Sequence, residues 1–370
     1  MDRMHILFLS AMPLHPAGLG GAEVNAHLLM SALQPYGPVF EAHGAYSPET
    51  LDSICRHLDR IGIQGQLVEG MGAAPSLGYD FGYPVRLHHA ADMPEAARSA
   101  LEGRAWDAVF IQARGWPELC ALSRAAGRFT VLFIHDLLSP EEFAPPALDR
   151  VDLLVANSEF TRRVLENTFR HPAALCYPLI PQPARPAPSP PADRPFITFV
   201  NPLGIKGRDL FFAMARELLD LEFLVVMNWG VSDLTRQVLE RYPNVTLMPR
   251  QEDMDRVWER TRLLLVPSIC EEAFGRVAPE AQGHGIPVLA SRVGGLPEAV
   301  GRGGLLIDEF RNPEAWVRAI AAVLTDPDLY ARLSERARIH AGRFEPGRAA
   351  AGFWDDLLAG LNRMAVNGLT

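Results

Sequence analysis

Lysine is almost absent from this sequence: of its 35 basic residues only one, Lys206, is lysine, and the others are arginine. Basic residues are also outnumbered, because 44 Asp and Glu residues give a net charge of -9. Such a chain has no global positive field for nucleic acid or anionic lipid, which leaves only a local basic site open. Where arginine serves almost everywhere, a single lysine marks a candidate site that needs a compact ammonium group.

Cysteine and long apolar runs are scarce as well. The four cysteines lack paired spacing, which fits neither a disulfide framework nor a zinc site, so a reducing cytoplasm is the expected location. The start, MDRMHILFLSAMP, resembles a signal peptide, but its apolar run is too short and predicts a first strand instead. No stretch reaches the roughly 18 apolar residues of a membrane-spanning helix, so we expect no transmembrane segment. The cysteines are Cys55, Cys120, Cys176 and Cys270.

The length of 370 residues, with 48% hydrophobic and 21% charged residues, suits a globular chain of two domains at roughly 100–200 residues per domain. Proline marks the boundary, because seven of the fifteen residues from Pro181 to Pro195 are proline and no helix or strand ladder persists there. We predict an N-terminal domain over 1–180, a linker over 181–195 and a C-terminal domain over 196–345. A terminal helix is predicted over 346–370, which can cross back to the first domain.

Short apolar segments alternate with amphipathic segments on both sides of the linker. The first half contains HILFLS, AVFIQA, TVLFIHD and DLLVANS, and the second contains FITFVN, EFLVVM, VTLMP, RLLLVPS and PVLAS. Near-continuous apolar strands between helical patterns indicate parallel sheets covered on both faces. We therefore predict an α/β fold of two Rossmann-like, doubly wound domains. The predicted helices include Ala22–Gln34, Ser158–Asn167, Arg208–Leu219, Asp253–Arg262, Pro313–Leu324 and Asp328–Gly342.

Two segments of the predicted N-terminal domain carry candidate ligand groups. The turn AGLGGAE places Gly20 and Gly21 between the first strand and the first helix, where the amides of a helix N-terminus can meet an anion. His135 and Asp136 follow TVLFI, at the edge where open α/β sheets bind ligands. The glycine turn is equally compatible with plain strand-to-helix geometry, and a histidine at the end of a strand is more often structural. The strand DLLVANS ends in Asn157 and Ser158, which we predict to cap the next helix.

The C-terminal domain contains the stronger signals. Lys206 and Gly207 lie between the strand FITFV and a helix, where an ammonium adds to helix-terminus amides to hold phosphate oxygens. The alternative is a solvated surface lysine. From Pro267 to Val300 runs PSICEEAFGRVAPEAQGHGIPVLASRVGGLPEAV, in which seven residues separate Glu272 from Glu280. A short helix is predicted to start near Val277, with Pro279 in its first turn. Two such carboxylates can reach hydroxyls at opposite ends of one polar ligand, or can form a solvated pair.

This motif, together with GGAE, HD, VANS, KG and GGLPE elsewhere, resembles the retaining glycosyltransferases of family 4, which have the GT-B architecture. The resemblance extends over most of the chain and implies two domains that face each other across a cleft. It implies that a sugar moves from a nucleoside-diphosphate sugar to an acceptor with retention of anomeric configuration. That donor is a co-substrate, and no separate cofactor is implied. Because an ammonium and amides stabilise the leaving diphosphate, we expect no divalent metal.

The resemblance also assigns a role to each matching residue. Glu272 would meet the donor sugar's hydroxyls near the anomeric centre, Glu280 would hold the ribose hydroxyls, and His135 would approach the sugar from the first domain. The loop at Gly20 and Gly21 would face the donor phosphate or the acceptor. The donor diphosphate would be met by Lys206 and by the backbone amides of Phe274, Gly275 and Arg276.

The sequence departs from the family pattern at a second cation. The family commonly has an arginine five residues before the lysine, whereas this chain has Asn201, which we predict to contact the donor in its place. Arg208 and Arg276 are the candidates for the missing positive charge. The turn MNWGVSD, from Met227 to Asp233, also replaces the family's usual glycine-rich turn, which leaves local nucleotide or sugar contacts open.

Other functions remain open on the residues alone. A noncatalytic nucleotide-sugar-binding subunit, a sugar-nucleotide epimerase or a phosphorylase of the same architecture would use a similar cleft. The glutamate spacing disfavours the epimerase, and a pyridoxal phosphorylase would need the lysine already assigned. A glycoside hydrolase is disfavoured because its paired acids do not come with a phosphate loop. The acceptor can be a saccharide, lipid, peptide or natural product.

Overall fold

The computed structural model of the chain describes residues 3–18, 20–72, 74–112, 115–137, 148–183, 190–228 and 230–366. The chain divides into two compact units. Unit 1 contains Met1–Leu179 together with Pro346–Thr370, and unit 2 contains Ile180–Glu345. Within the predicted proline-rich linker, residues 184–189 lie outside the described residues.

Unit 1 is built on one sheet, and its described strands are numbered here in chain order. These are β1 His5–Ser10, β2 Val39–Tyr46, β3 Gln66–Val68, β4 Ser76–Asp80, β5 Pro84–His89, β6 Ala108–Gln112, β7 Phe129–Ile134, β8 Leu153–Ala156 and β9 Ala173–Leu175. Their order across the sheet is β3-β4-β5-β2-β1-β6-β7-β8-β9, with parallel pairing from β5 to β9. The described helices between them are α1 Gly21–Leu33, α2 Leu51–Arg60, α3 Met93–Gly103, α4 Trp116–Ala125 and α5 Glu159–Phe169.

Unit 2 has a fully parallel sheet of order β12-β11-β10-β13-β14-β15 within its described residues. Its strands are β10 Phe196–Val200, β11 Phe223–Val226, β12 Val245–Met248, β13 Thr261–Val266, β14 Val288–Ser291 and β15 Gly304–Ile307. Its described helices are α6 Arg208–Glu217, α7 Asp233–Leu239, α8 Asp255–Trp258, α9 Val277–Gly283, α10 Leu296–Val300, α11 Pro313–Thr325 and α12 Pro327–Ala341. The chain then returns to unit 1 as α13, Pro346–Val366.

Both faces of the sheet in unit 1 are buried, which explains the near-continuous apolar strands. Along β1, Ile6 and Phe8 belong to one hydrophobic cluster, while Leu7 and Leu9 belong to a second cluster on the opposite face. Successive side chains of a strand point to opposite faces, so a strand covered on both sides must be apolar throughout. The predicted α/β fold of two doubly wound sheets is confirmed.

Helix α13 completes the first of these clusters. Phe353 and Leu357 are fully buried there, and the Phe353 ring meets the ring of Phe110 edge-on at 5.7 Å. Leu361, one turn further, packs against the same cluster. Burying a large side chain contributes roughly 1.5–3 kcal/mol, so the terminal helix is a stabilising part of unit 1.

Two features of the chain were not predicted correctly. The helix expected over Asp253–Arg262 is wrong, because only Asp255–Trp258 is helical and the strand β13 begins at Thr261. The edge of the sheet in unit 1 carries an antiparallel hairpin, β4 and β5, where only parallel pairing was expected. Asp80 Oδ1 accepts from Gly82 N at 2.9 Å in its turn. Within the described part of the chain, no helix is both long and apolar enough to cross a membrane.

A buried chain of polar side chains crosses β2, β5 and β4. His43 Nδ1 lies 3.0 Å from His88 Nε2, and His88 Nδ1 lies 3.0 Å from Ser76 Oγ. At the other end, His43 Nε2 lies 3.0 Å from Glu41 Oε1. Burial, followed by the neighbouring His43 and Arg86, lowers the pKa of His88 to about 4. The His88 imidazole is therefore neutral in the folded protein at neutral pH.

We predict that unit 1 loses stability as the pH falls from about 6.5 toward 4. In this window an unfolded imidazole binds a proton that folded His88 does not, so protonation favours unfolding by up to about 3 kcal/mol. Urea midpoints should fall with pH, and the slope should be shallower for His88→Asn. Burial also lowers the pKa of His27 to about 4, which leaves a residual slope in that variant.

His171→Asn is the control for this experiment, because His171 lies between α5 and β9 and is not part of this buried chain of polar side chains. It should keep the wild-type slope. Identical slopes for the wild type and His88→Asn would contradict the prediction.

Candidate functional site

The single lysine of the chain is paired with a carboxylate. Lys206 ends a short 3₁₀ helix after β10, and its Nζ lies 2.6 Å from both Oε1 and Oε2 of Glu272. Glu272 lies in the loop after β13, the neighbour of β10 in the sheet. The lysine side chain is 27% exposed and the glutamate side chain 11%, so the pair is partly accessible. Two residues that the sequence singled out separately are thus in direct contact.

Two backbone contacts fix the distance between the loops that carry this pair. Ile269 N donates to Ile205 O at 2.9 Å. Next to Lys206, Gly207 has a φ of +88°, and a Cβ at this position would overlap the carbonyl oxygen of Pro267. Only glycine combines a left-handed backbone with such a close approach at little cost. Gly207 is therefore required to bring the lysine loop against the glutamate loop.

Glu272 is held at its side chain and at its backbone. The fully buried Ser268 donates its hydroxyl to Glu272 Oε1 at 2.5 Å. From the loop after β14, Gly295 N donates to Glu272 O at 2.7 Å. Gly294, with a φ of +54°, lies so close that a Cβ would overlap the Glu272 carbonyl oxygen. The GG step of GGLPE thus supports Glu272 by close backbone packing.

The segment after Glu272 leads directly into α9, which begins at Val277 as predicted. Phe274 is buried and packs edge-on against the Phe344 ring at 5.2 Å. Gly275 follows with a φ of +93°, and Arg276 is the N-cap residue. Phe274 anchors this segment in the core, which places the next two residues at the amino end of the helix. Helix N-termini carry partial positive charge from their amide groups.

A second ion pair lies on α9 and its N-cap. Arg276 Nε lies 2.7 Å from Glu280 Oε1, and 16% and 20% of the two side chains are exposed. Burial raises the pKa of the Glu280 carboxyl, and the charge and hydrogen bond of Arg276 act in the opposite direction. Both glutamates of the family motif are therefore paired with a cation, Glu272 with Lys206 and Glu280 with Arg276.

The position of the missing family arginine has an unusual backbone. Asn201 has a φ of 60°, and asparagine tolerates this left-handed region better than most residues with a Cβ. The backbone N of Asn201 donates to Val226 O at 2.9 Å, and the backbone O of Asn201 accepts from Leu203 N at 2.7 Å. The side chain is 7% exposed, and its Oδ1 has no partner among the described residues. Its predicted contact with the donor stays a prediction.

The two candidates for the second cation already contact other side chains. Arg276 is paired with Glu280, as described. Arg208 Nε lies 2.9 Å from Asp209 Oδ1, its Nη1 lies 3.3 Å from Thr235 Oγ1, and its guanidinium lies 5.9 Å from the centre of the Phe212 ring. Their predicted role as a second cation for the diphosphate stays a prediction.

In unit 1, His135 directly follows β7 and contacts side chains from neighbouring segments. Its Nε2 lies 3.0 Å from Gln112 Oε1, at the end of β6. Its carbonyl oxygen accepts from Asn157 Nδ2 at 2.9 Å. Its ring lies nearly parallel to that of Phe133, with centroids 6.3 Å apart. The neighbouring Ser158 accepts from Thr161 N at 2.9 Å, which confirms its predicted role as a helix cap.

The glycine turn of unit 1 also lies where the sequence placed it. Gly20 is the N-cap residue of α1 and Gly21 is the first residue of the helix. Val24 N donates to Gly20 O at 3.1 Å, which starts the helical ladder. The first turn holds one acidic residue, Glu23. This geometry is that of a strand-to-helix turn, and its predicted contact with phosphate or acceptor stays a prediction.

Sequence reasoning missed two polar residues that support the candidate site. Ser268 contacts Glu272, and Gln112 contacts His135. Each is a polar side chain at or just beyond the end of an apolar strand and is fully buried. A polar residue in such a position needs a partner, since burying an unpaired polar group is costly. The polar residue at the end of RLLLVPS and of AVFIQ can be recognised in the sequence, but the residue that it contacts cannot.

Comparison with known proteins identifies the class of unit 2. Residues 194–326, just over a third of the chain, match the family described as glycosyl transferases group 1. The D-inositol 3-phosphate glycosyltransferase of Segniliparus rotundus is 36% identical over 188 residues, which is 47% of this chain and 40% of that protein. The Corynebacterium glutamicum protein of the same name is 42% identical over 111 residues, 29% of this chain and 26% of that protein. The chain thus spans less than half the length of these curated relatives.

Solved structures agree on the fold of the chain. Anabaena Alr3699/HepE, solved in complex with UDP, has a TM-score of 0.72 at 18% identity, covering 96% of this chain and all of that one. The catalytic domain of starch synthase IV from Arabidopsis thaliana, bound to ADP and acarbose, has a TM-score of 0.75 at 14% identity, covering 98% and 100%. The fold is that of GT-B glycosyltransferases. Residues 194–326 match the glycosyl transferases group 1 family, in agreement with the resemblance seen in the motifs within that range.

We predict that Gly207→Ala destabilises unit 2 by about 1–3 kcal/mol, because its backbone is left-handed and a Cβ would strike Pro267. Gly204→Ala, in the same loop, is the matched control, since a Cβ there meets no atom within 4 Å. Urea unfolding followed by near-ultraviolet circular dichroism measures both variants. Equal midpoints for the two variants would show that the close approach of the loops is not required.

Proposed function

We propose that this protein is a retaining glycosyltransferase that moves a sugar from a nucleoside-diphosphate sugar to an acceptor hydroxyl. The observation that carries this proposal is the contact of Lys206 with Glu272. An ammonium group can bind phosphate, and a carboxylate can accept hydrogen bonds from hydroxyl groups. The group 1 domain supports it, because that domain contains both residues. A partly exposed pair of this kind suits a ligand that carries both phosphate and hydroxyl groups.

In the proposed reaction, the bond between the anomeric carbon and the diphosphate oxygen breaks. A new bond forms from that carbon to the acceptor oxygen on the same face of the sugar. The nucleoside diphosphate departs with the electron pair of the broken bond, and its freed oxygen takes up the proton of the acceptor hydroxyl. Negative charge grows on the leaving diphosphate, so preorganised positive groups lower the barrier. Lys206 and the amides of Phe274, Gly275 and Arg276 are proposed to supply them without a divalent metal.

The remaining residues take the roles that the resemblance implies. Glu272 is proposed to bind sugar hydroxyls near the anomeric carbon, and Glu280 to bind the ribose hydroxyls of the nucleotide. Arg276, which contacts Glu280, would keep that carboxylate oriented. From unit 1, His135 is proposed to meet the donor sugar, and the turn at Gly20 and Gly21 to meet phosphate or acceptor.

The donor base and the acceptor are matters for experiment. Proteins of this fold have been solved with UDP and with ADP, so both bases belong in the first screen. The relatives named D-inositol 3-phosphate glycosyltransferase make inositol 3-phosphate the first acceptor to test. A cytoplasmic location is part of the proposal and is supported by the four cysteines, which are all free thiols.

The proposal predicts transfer with retention. UDP-, GDP-, ADP- and dTDP-sugars are screened by thermal shift, since a ligand at 100 times its dissociation constant stabilises by roughly 2.7 kcal/mol. The donor that binds is then incubated with candidate acceptors, and the anomeric configuration of the product is read by NMR. The product should keep the donor's configuration. Inverted product, or tight donor binding with neither transfer nor slow hydrolysis, would contradict it, and the second result would indicate a noncatalytic binding subunit.

Substitution of the two glutamates should affect different steps, catalysis for Glu272 and nucleotide binding for Glu280. Glu272→Gln should lower kcat by roughly 10²–10³-fold, because the residue is proposed to act near the reacting carbon. Glu280→Gln should instead weaken nucleotide binding by about 10-fold or more with a smaller change in kcat. Glu271→Gln is the control, since Glu271 is exposed beside Glu272. Wild-type kinetics in both variants would remove the pair from the proposal.

Substitution of Lys206 should weaken the binding of ligands that carry phosphate and leave the binding of the bare nucleoside unchanged. Lys206→Ala is expected to weaken nucleoside-diphosphate binding by roughly 10–150-fold, the value of a charge-assisted hydrogen bond. Binding of the matching nucleoside should stay nearly unchanged. Arg216→Ala removes a positive charge from the exposed part of α6 and serves as the control. Isothermal titration calorimetry measures the affinity for each ligand separately. Equal losses of affinity for the nucleoside diphosphate and for the nucleoside would show that Lys206 acts through folding.

A further inference from the structure

Ser268 is a buried serine whose side chain makes one hydrogen bond within the described residues. It lies in the loop after β13 and is 0% exposed. Its Oγ lies 2.5 Å from Glu272 Oε1. Burying a hydroxyl group is unfavourable unless it is hydrogen-bonded, and alanine would fill nearly the same space. The hydroxyl group of Ser268 is therefore explained by its contact with Glu272 and not by packing.

The direction of this hydrogen bond follows from the other partner of Glu272. The Glu272 side chain forms an ion pair with Lys206, so it is a carboxylate. A carboxylate only accepts hydrogen bonds, whereas a serine hydroxyl group can donate one. Ser268 is therefore the donor, and its bond to a charged acceptor belongs to the stronger class of hydrogen bonds.

Ser268 acts on a side chain whose backbone is already fixed. Gly295 N donates to Glu272 O at 2.7 Å, which holds the main chain of the glutamate. The freedom that remains is rotation about the side-chain torsions, and glutamate has much of it to lose on ordering. A hydroxyl group that is itself fully buried cannot follow a carboxylate that turns away. The bond from Ser268 therefore restricts the orientation of the Glu272 carboxylate.

The two carboxylate oxygens of Glu272 have different partners. Oε1 lies 2.6 Å from Lys206 Nζ and 2.5 Å from Ser268 Oγ. Among the described residues, Oε2 contacts only Lys206 Nζ, also at 2.6 Å. An ionised carboxylate offers about two lone-pair sites at each oxygen. Both sites of Oε1 are thus in use, whereas Oε2 has one left, and the side chain is 11% exposed.

We propose that Ser268 is a positioning residue that holds Oε1 of Glu272, so that Oε2 accepts a hydrogen bond from a hydroxyl group of the donor sugar. This inference rests on the proposed function, because it uses the role of Glu272 there. When Lys206 binds the diphosphate, Oε2 loses its one partner among the described residues, while Oε1 keeps the bond from Ser268. The carboxylate then stays in place with one oxygen free for the sugar.

The contact can be tested without any enzymatic assay. Urea unfolding is compared for the wild type, Ser268→Ala, Glu272→Ala and the double variant. In the wild-type background, Ser268→Ala should lower the ratio of folded to unfolded protein by roughly 10-fold or more, the value of a hydrogen bond to a charged group. In the Glu272→Ala background the same substitution should have a much smaller effect. Equal effects in the two backgrounds would overturn the proposal whether or not the protein transfers sugar.

Ser291→Ala is the matched control for both tests. Ser291 is a fully buried serine at the end of β14, the strand next to β13. Its Oγ has no partner among the described residues, so its removal should not depend on Glu272. This variant should have the same effect on unfolding in both backgrounds and should keep the wild-type kcat.

Kinetics test the functional half of the proposal. Ser268→Ala should lower kcat by about 10-fold, equal to about 1.4 kcal/mol. The dissociation constant of the nucleoside diphosphate should stay near the wild-type value, because that ligand lacks the sugar. In the Glu272→Ala background, Ser268→Ala should have no further effect on kcat. An unchanged kcat in folded Ser268→Ala, or an equal loss of kcat in both backgrounds, would overturn the positioning role.

Discussion

The contact between Lys206 and Glu272 is the interaction on which the candidate site depends. It joins loops from two neighbouring strands, so its 2.6 Å distance requires that the loops approach closely. Gly207 permits this approach beside Pro267, and the bond from Ile269 to Ile205 maintains it. Buried apolar strands fix the positions from which both loops start. The fold of unit 2 thus determines the relation between one cation and one carboxylate.

The chemistry proposed for the protein follows from the partial exposure of the ammonium in this pair. The Lys206 side chain is 27% exposed, so a diphosphate oxygen can reach the ammonium and compete with the carboxylate for it. Glu272 stays oriented by Ser268 and by Gly295 when the lysine changes partner. On the proposed function, the donor would bind Lys206 through its phosphate and release the carboxylate for sugar hydroxyls. The scarcity of lysine in the sequence is consistent with this use of a compact ammonium group.

Much of this arrangement can be predicted from the sequence, because local patterns determine it. Apolar strands buried on both faces, the cap at Ser158 and the start of α9 at Val277 depend on neighbouring residues. Contacts between distant residues could not be read this way. Gln112 and His135 meet only because β6 and β7 are adjacent, and the hairpin of β4 and β5 depends on pairing at the edge of the sheet. The helix α8 is shorter than its sequence pattern predicts, because the chain enters the strand β13 at Thr261.

The central claim, that Lys206 binds the donor's diphosphate, can be tested directly because the chain has one lysine. Protein labelled with ¹³C at lysine Cε gives a single side-chain signal for this residue. UDP, GDP, ADP and dTDP are each titrated against the matching nucleoside. The account predicts that the diphosphate that binds shifts the Lys206 signal while its nucleoside leaves the signal in place. Saturating binding of a diphosphate with an unmoved signal, or the same shift from the nucleoside, would contradict it.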